Sequence, residues 1–193
     1  MRIPAVAVAA ALTLASPLAL ARVSGPLGRA PKPPPAGALQ APRMWQDRDG
    51  VFALERPKSE RWAFRGGLRG PDGAPVPLLA LSQESGAQVV VQSTDGVNDL
   101  RLLARMLMEN LSNESRVHVE DIEKVLSRGG EAWGFSFSVA DEVRGRVAVV
   151  RAGEHVALVV ASWPMGAPPE IVDDVEEMIG TLGPIPGYKP GTF

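Results

Sequence analysis

The sequence contains no cysteine and only two histidines in 193 residues. Without thiols the chain forms neither disulfides nor thiolate metal sites, and it has neither a cysteine nucleophile nor a lipid anchor on an N-terminal cysteine. Its stability must therefore come from a hydrophobic core. Hydrophobic residues make up 45% of the chain, which is ordinary for a globular protein.

Familiar catalytic and cofactor motifs are also missing. The sequence has no Gly-x-Ser-x-Gly pentapeptide, no Gly-x-Gly-x-x-Gly dinucleotide fingerprint and no Walker-type phosphate loop. The nearest approach, GFSFS at 134–138, lacks the second glycine and reads as a regular strand. We therefore expect no enzymatic activity, no cofactor and no bound metal.

One cluster, formed by His118, Glu120 and Asp121, has the atoms for metal binding or acid–base chemistry. A metal site usually needs three or four ligands at recognisable spacing. On a strand, His118 and Glu120 share one face and Asp121 lies on the other. We interpret this cluster as a solvated strand end, and an enzyme built on it is the less favoured alternative.

The chain opens with an apolar run that lacks charge. Arg2 precedes residues 3–20, which hold no charged side chain, and a small-x-small pattern ends at Ala21. This pattern predicts a signal peptide over 1–21 that is cleaved after Ala21. The run is marginal for a spanning helix, which needs about 20 apolar residues. We expect a bacterial protein that is periplasmic or secreted, with no stable membrane anchor after cleavage.

Acidic residues are absent from residues 22–43, which contain four basic residues and six prolines. Such a composition predicts an extended linker that does not pack a core. Residues 44–193 hold fifteen basic and all twenty-two acidic residues, for a net charge of −7. A basic arm followed by an acidic domain disfavours nucleic acid as a partner, because phosphate contacts need a basic surface.

Residues 44–183 show the patterns of one globular domain rich in strands, followed by a tail at 184–193. The clearest alternation is at 133–139, where large apolar residues alternate with glycine and serine. Residues 156–161 are apolar on both faces, which is typical of a central strand. Strands are predicted at 51–56, 61–65, 78–82, 87–93, 114–122, 133–139, 144–151 and 155–163, with 124–127 either a strand or a helical turn and 66–77 a loop.

Two helices complete the predicted domain. Asn98 is the expected N-cap of the first, whose leucines recur at three- and four-residue spacing. Pro168 and Pro169 open the second. Its expected solvent face is acidic and consists of Asp173, Asp174, Glu176 and Glu177. Two helices on about seven strands predict an α+β fold with helices packed on an antiparallel sheet.

The order of these elements resembles the PsbP/Mog-like family of small exported proteins. The resemblance covers about residues 50–183. It rests on the strand FALERP at 52–57, the strand RWAF at 61–64, the helix 99–111, GEAWGF at 130–135 and a closing helix after SWP at 162–164. It implies a PsbP/Mog-like sandwich and a non-catalytic module that binds or stabilises a partner. It implies no catalytic residues.

The candidate binding site is a run of basic residues in the otherwise acidic domain. Five of them fall within fourteen positions that contain one acidic residue in between. They are Arg56, Lys58, Arg61, Arg65 and Arg69. The functional interpretation is a surface for an acidic protein, an anionic lipid or a glycan. The alternative is a solvated strand face, which is the common role of exposed charge.

Two functions are therefore expected. The first is an exported module that binds a partner protein in the cell envelope or outside the cell. The second is a carrier of a small apolar ligand or lipid in a groove between helix 99–111 and the sheet, lined by Trp133, Phe135 and Phe137. The sequence leaves the partner's identity and the oligomeric state open.

Overall fold

An antiparallel sheet of eight strands has one helix on each face in the computed structural model, which describes residues 43–47, 49–59, 61–69 and 75–186. The predicted signal peptide, the linker up to residue 42 and the end of the tail lie outside the described residues. The elements are β1 (Met44–Gln46), β2 (Ala53–Glu55), β3 (Trp62–Arg69), β4 (Pro75–Ser82), β5 (Gln88–Thr94), α1 (Leu100–Ser112), β6 (Val117–Val119), β7 (Glu123–Lys124), β8 (Ala132–Val139), β9 (Val143–Ala152), β10 (His155–Pro164) and α2 (Pro169–Thr181).

The strand order in the large sheet is β3-β4-β5-β10-β9-β8-β6, and β7 also pairs with β8. Strands β1 and β2 form a separate two-stranded sheet, which Gly183 joins through a bridge to Ala53. The α+β class is confirmed. The strand expected at 114–122 is reduced to the three residues of β6, and only two residues, those of β7, are strand near 124–127.

The loop expected at 66–77 is mostly strand. Strand β3 continues to Arg69 and β4 already begins at Pro75. Gly66 lies inside β3 with the Trp45 ring close to it: a Cβ there would lie 3.0 Å from Trp45 Cζ2. A glycine inside a strand often marks such a close approach, so glycine content alone was misleading here.

Each face of the sheet buries its own hydrophobic cluster. One face packs against α2 and the β1–β2 pair, through residues that include Phe52, Val159 and Ile171. The opposite face packs against α1, with Leu103 and Val149 in the contact. Strand β10 is buried on both faces, as expected for a central strand.

Helix α1 begins one residue later than expected. Asp99, not Asn98, is the N-cap, because its carboxylate accepts a hydrogen bond from the Leu102 N–H at 2.8 Å. The expected leucine stripe is confirmed, with Leu100, Leu103, Leu107 and Leu111 all buried.

The aromatic row on β8 is only partly core. Phe135 and Phe137 are buried against α1, whereas Trp133 is half-buried at the margin. Arg101 lies 5.0 Å and Lys124 5.8 Å from the Trp133 ring, so two cations cover its outer side. The row therefore contributes two phenylalanines to the core, whereas Trp133 keeps part of its surface accessible.

The acidic face of α2 differs from the expected solvated face at one residue. Asp173 is exposed, but Asp174 is buried with 9% of its surface accessible. Glu176 and Glu177 are engaged in ion pairs, with Arg146 at 3.3 Å and Arg43 at 2.9 Å. This side of α2 therefore contributes to tertiary contacts in addition to solubility.

Candidate functional site

The structure divides the five candidate basic residues between structural and exposed positions. Arg56 is half-buried, and its guanidinium carbon lies 4.7 Å from the centre of the Phe64 ring. Its Nε is buried without a hydrogen-bond partner, and burial lowers the pKa of the guanidinium. Arginine nevertheless stays charged in proteins. Arg56 therefore packs the start of the domain and is poorly placed to contact a partner.

Arg61 is turned toward α2. Its Nε lies 3.7 Å from Oδ2 of Asp174. The same carboxylate oxygen accepts hydrogen bonds from Trp62 Nε1 at 2.8 Å and from Ser59 Oγ at 2.5 Å. Arg61 and the Trp62 indole therefore contact the same carboxylate oxygen. Arg61 belongs to a polar junction that fastens the start of β3 to α2.

Lys58, Arg65 and Arg69 are exposed. Within the described parts of the chain, the side chains of Lys58 and Arg65 take part in no ion pair or hydrogen bond, whereas Arg69 is already engaged in an interaction. Strand β3 alternates as expected, with Trp62 inward and Arg65 outward. Of the five predicted basic residues, Lys58 and Arg65 are therefore the two that are exposed and without a side-chain partner among the described residues.

Arg65 and Arg69 lie on β3, the edge strand of the large sheet, and Lys58 lies in the segment just before it. In the part of the chain that the structure describes, β3 pairs with β4 on one side and with no strand on the other. An edge strand leaves a row of backbone N–H and C=O groups available to another chain. Charged side chains at such an edge prevent unselective pairing, and they also favour a partner segment of opposite charge.

A second feature is a groove of about 390 Å³ beside α2. Its lining includes His118 and Glu120, two of the three residues that the sequence singled out, but not Asp121. Those two share a face, as strand periodicity predicts. No group of three or more histidine, aspartate or glutamate side chains within the described ranges is arranged to hold a metal ion.

The groove floor is a row of side chains across four strands. In the sheet register, His118 pairs with Ser138, Ser138 with Arg144, and Arg144 with Trp163. Paired residues lie side by side on one face. The row therefore runs from a histidine through a serine and an arginine to a tryptophan.

Arg146 lies in the next row and is buried. Its Nη1 donates to Glu123 at 2.6 Å and to Ser136 Oγ at 3.2 Å. Its Nε is 3.3 Å from Glu176 but outside hydrogen-bonding geometry. A buried charge needs such partners, since desolvation of an isolated ion is costly. Arg146 thereby links β9, β7 and α2.

The contact between α1 and the sheet is closely packed where the sequence suggested a ligand groove. Leu100, Leu107 and Phe135 are almost completely shielded from solvent. Gly145 lies under the Phe137 ring so closely that a Cβ would meet Cζ at 2.2 Å. This packing is typical of a filled core.

Comparison with known proteins reveals the fold. No family model and no curated protein sequence matches the chain. The solution structure of cyanobacterial PsbP (CyanoP) from Synechocystis sp. PCC 6803 superposes with a TM-score of 0.51 at 11% identity, covering 83% of this chain and all of CyanoP. The described part of the chain has the PsbP/Mog-like fold.

Two further structures show weaker likeness. The Ran-binding protein Mog1p of Saccharomyces cerevisiae gives a TM-score of 0.47 at 12% identity over 72% of this chain and 93% of its own. LpqN, involved in cell envelope biogenesis of Mycobacterium tuberculosis, gives 0.45 at 13% over 71% and 86%. At TM-scores below 0.5, these two likenesses support no conclusion about the fold or a site of this chain. In the described part of the chain, no helix is long and apolar enough to cross a membrane.

Proposed function

We propose that this protein is a non-catalytic exported module that binds a partner protein through the edge of its sheet, at Lys58 and Arg65. The observation that carries the proposal is a pair of exposed cations, Arg65 on the open edge strand β3 and Lys58 just before it, whose side chains pair with no described residue. A partner with an acidic segment would gain charge-assisted hydrogen bonds there. Arg56, Arg61 and Arg69 lie beside this surface. Arg56 packs against Phe64 and Arg61 pairs with Asp174, so both stabilise the local fold.

The roles of the buried charges support binding over catalysis. Asp174 joins β3 to α2, and Arg146 joins β9 to β7 and α2. A general acid or base must be able to reach a substrate proton, usually within a pocket. Both groups are already committed to neighbouring side chains. The fold shared with CyanoP is also compatible with a module of this class.

Reversing both exposed charges is expected to weaken partner capture. The full chain and its Lys58→Glu/Arg65→Glu variant are compared as baits for proteins of the native cell envelope. We expect a loss of at least about tenfold at low salt, because two attractive contacts become repulsive. Capture by the unaltered chain should also decline with added salt, since exposed charges are screened over a Debye length of about 8 Å at physiological strength.

The matched control is Arg105→Glu/Arg144→Glu, which makes the same change in net charge on exposed positions of α1 and β9 whose side chains pair with no described residue. Capture equal to that of the unaltered chain is expected for this control. If both double variants lose capture equally, general charge and not the β3 edge determines binding. Arg61 is left unchanged, because a glutamate there would face Asp174.

Export should leave a mature chain that begins at Arg22. The apolar run and the small residue at Ala21 are the recognition features of signal peptidase. Intact mass measured on protein isolated from its native host checks this expectation. A mature protein that retains residues 1–21 would contradict the proposed location.

The alternative function, a carrier of a small apolar ligand or lipid under α1, is less favoured. Its proposed lining residues Phe135 and Phe137 already pack against the leucines of α1. A carrier would need that contact to open for its ligand. The stabilities of the Phe135→Ala and Trp133→Ala variants of β8 distinguish the two functions.

A further inference from the structure

The groove beside α2 contains charges of both signs that are not paired with each other. Arg144 is exposed, and its side chain makes no ion pair or hydrogen bond with any described residue, although it lines the same groove as Glu120 and Asp141. Those two carboxylates are likewise unpaired in the described ranges. By contrast, Arg146 is balanced by Glu123 and Glu176.

The remaining lining adds an apolar wall and small polar groups. Trp163, Met165 and Val172 supply the apolar side, and Ser136 and Ser138 contribute hydroxyl groups to the floor. A volume of about 390 Å³ lies within the range of about 300–1,000 Å³ that is typical of small-molecule sites.

The balance of charge decides the class of ligand. Glu120, Asp141 and Glu176 line the groove against Arg144 and Arg146, so a phosphate dianion would enter a site with an excess of carboxylates. A ligand that is only cationic would leave Arg144 without a counter-charge. A ligand carrying one carboxylate and one ammonium group can match both sets of unpaired side chains.

The spacing of the strands sets the ligand's length. Glu120 follows β6, and Arg144 lies two strands away on β9, with β8 in between. Glu120 lies beside Ser136, one row away from Ser138 and Arg144. Two inter-strand spacings combined with this offset of two residues correspond to about 12 Å. Three residues of extended peptide span roughly the same distance, at about 3.3 Å per residue.

We propose that this groove binds the free ends of a short apolar peptide of about tripeptide size. The peptide carboxylate accepts hydrogen bonds from the Arg144 guanidinium, and its ammonium group donates to Glu120 or Asp141. An apolar side chain of the peptide packs on Trp163. This site is separate from the β3 edge and does not depend on the proposed partner protein.

The backbone at the rim supports a specialised site. Arg116 and Ala140 have φ values of 69° and 47°, in the left-handed region that non-glycine residues seldom adopt. The Ala140 N–H donates to the Arg116 carbonyl at 2.8 Å. Ala140 itself lines the groove. Strained backbone of this kind is concentrated at functional sites.

Trileucine in four forms is the probe: with both ends free, acetylated at the amine, amidated at the carboxylate, and blocked at both ends. Binding to the full chain is measured by titration calorimetry. We expect the free form to bind and each single block to weaken binding by about tenfold or more, because each removes a charge-assisted contact. No binding of the free form at millimolar concentration, or equal binding of all four forms, overturns the proposal.

Substitutions in the groove test which side chain binds each end of the peptide. Arg144→Gln should remove the preference for the free carboxylate and keep the preference for the free amine. Glu120→Gln/Asp141→Asn should do the reverse. Arg105→Gln, at an exposed position of α1, should change neither preference. Because all the altered side chains are exposed and pair with no described residue, little loss of stability is expected. Retention of both preferences in Arg144→Gln would overturn the assignment.

Discussion

Replacing Phe135 with alanine is expected to lower the free energy of unfolding by about 3–5 kcal/mol. Phe135 is completely buried between β8 and α1, where it belongs to the same cluster as Leu103 and Leu107. Truncation removes the ring's burial and leaves a cavity that the surrounding strands cannot fully close. Denaturant unfolding of the full chain measures the change.

Trp133→Ala is the internal comparison on the same strand. Trp133 is half-buried and covered on one side by Arg101 and Lys124, so its loss should cost about 1–2 kcal/mol. Equal and small effects of both substitutions would indicate a loosely filled contact under α1. That result would favour the carrier of a small apolar ligand over the binding module.

Asp174→Ala is expected to destabilise the protein by about 3 kcal/mol. The substitution leaves the buried indole N–H of Trp62 without its acceptor and removes the partner of Ser59 and Arg61. Hydrogen bonds to a charged group contribute about 1.5–3 kcal/mol, and an orphaned buried donor adds a desolvation penalty. Thermal and denaturant unfolding measure the loss.

The neighbouring Asp173 provides a matched control. It carries the same side chain one position earlier on α2 but is exposed, so Asp173→Ala should change stability by less than about 0.5 kcal/mol. Asp174→Asn, which keeps an acceptor oxygen, should fall between the two alanine variants. Similar stability of Asp173→Ala and Asp174→Ala would contradict the structural role of the junction.

Local periodicity was sufficient for the elements whose burial depends on their own pattern. The leucine stripe of α1, the alternation on β8 and the apolar run of β10 were all predictable. Asp174 was not, because its burial depends on Trp62 and Ser59, which lie 112 and 115 positions earlier in the chain. A helical repeat contains no information about such distant polar partners.

Local periodicity was also insufficient to predict the arrangement of the candidate sites. The pairing of Arg144 with Trp163 on one side and with Ser138 on the other is set by sheet register. Neither residue stands out in its own strand. For the basic segment, the alternation of β3 was predictable, but the turn of Arg61 toward α2 arises from a tertiary contact.

Hydrogen–deuterium exchange on the captured complex tests the central claim most directly. The proposal places the partner along the edge strand that carries Arg65, next to the segment that carries Lys58. Amides of residues 58–69 should exchange more slowly in the complex, while those of α1 are unchanged. Slower exchange confined to α1, or to the strands under it, with residues 58–69 unaffected, would contradict binding at the β3 edge.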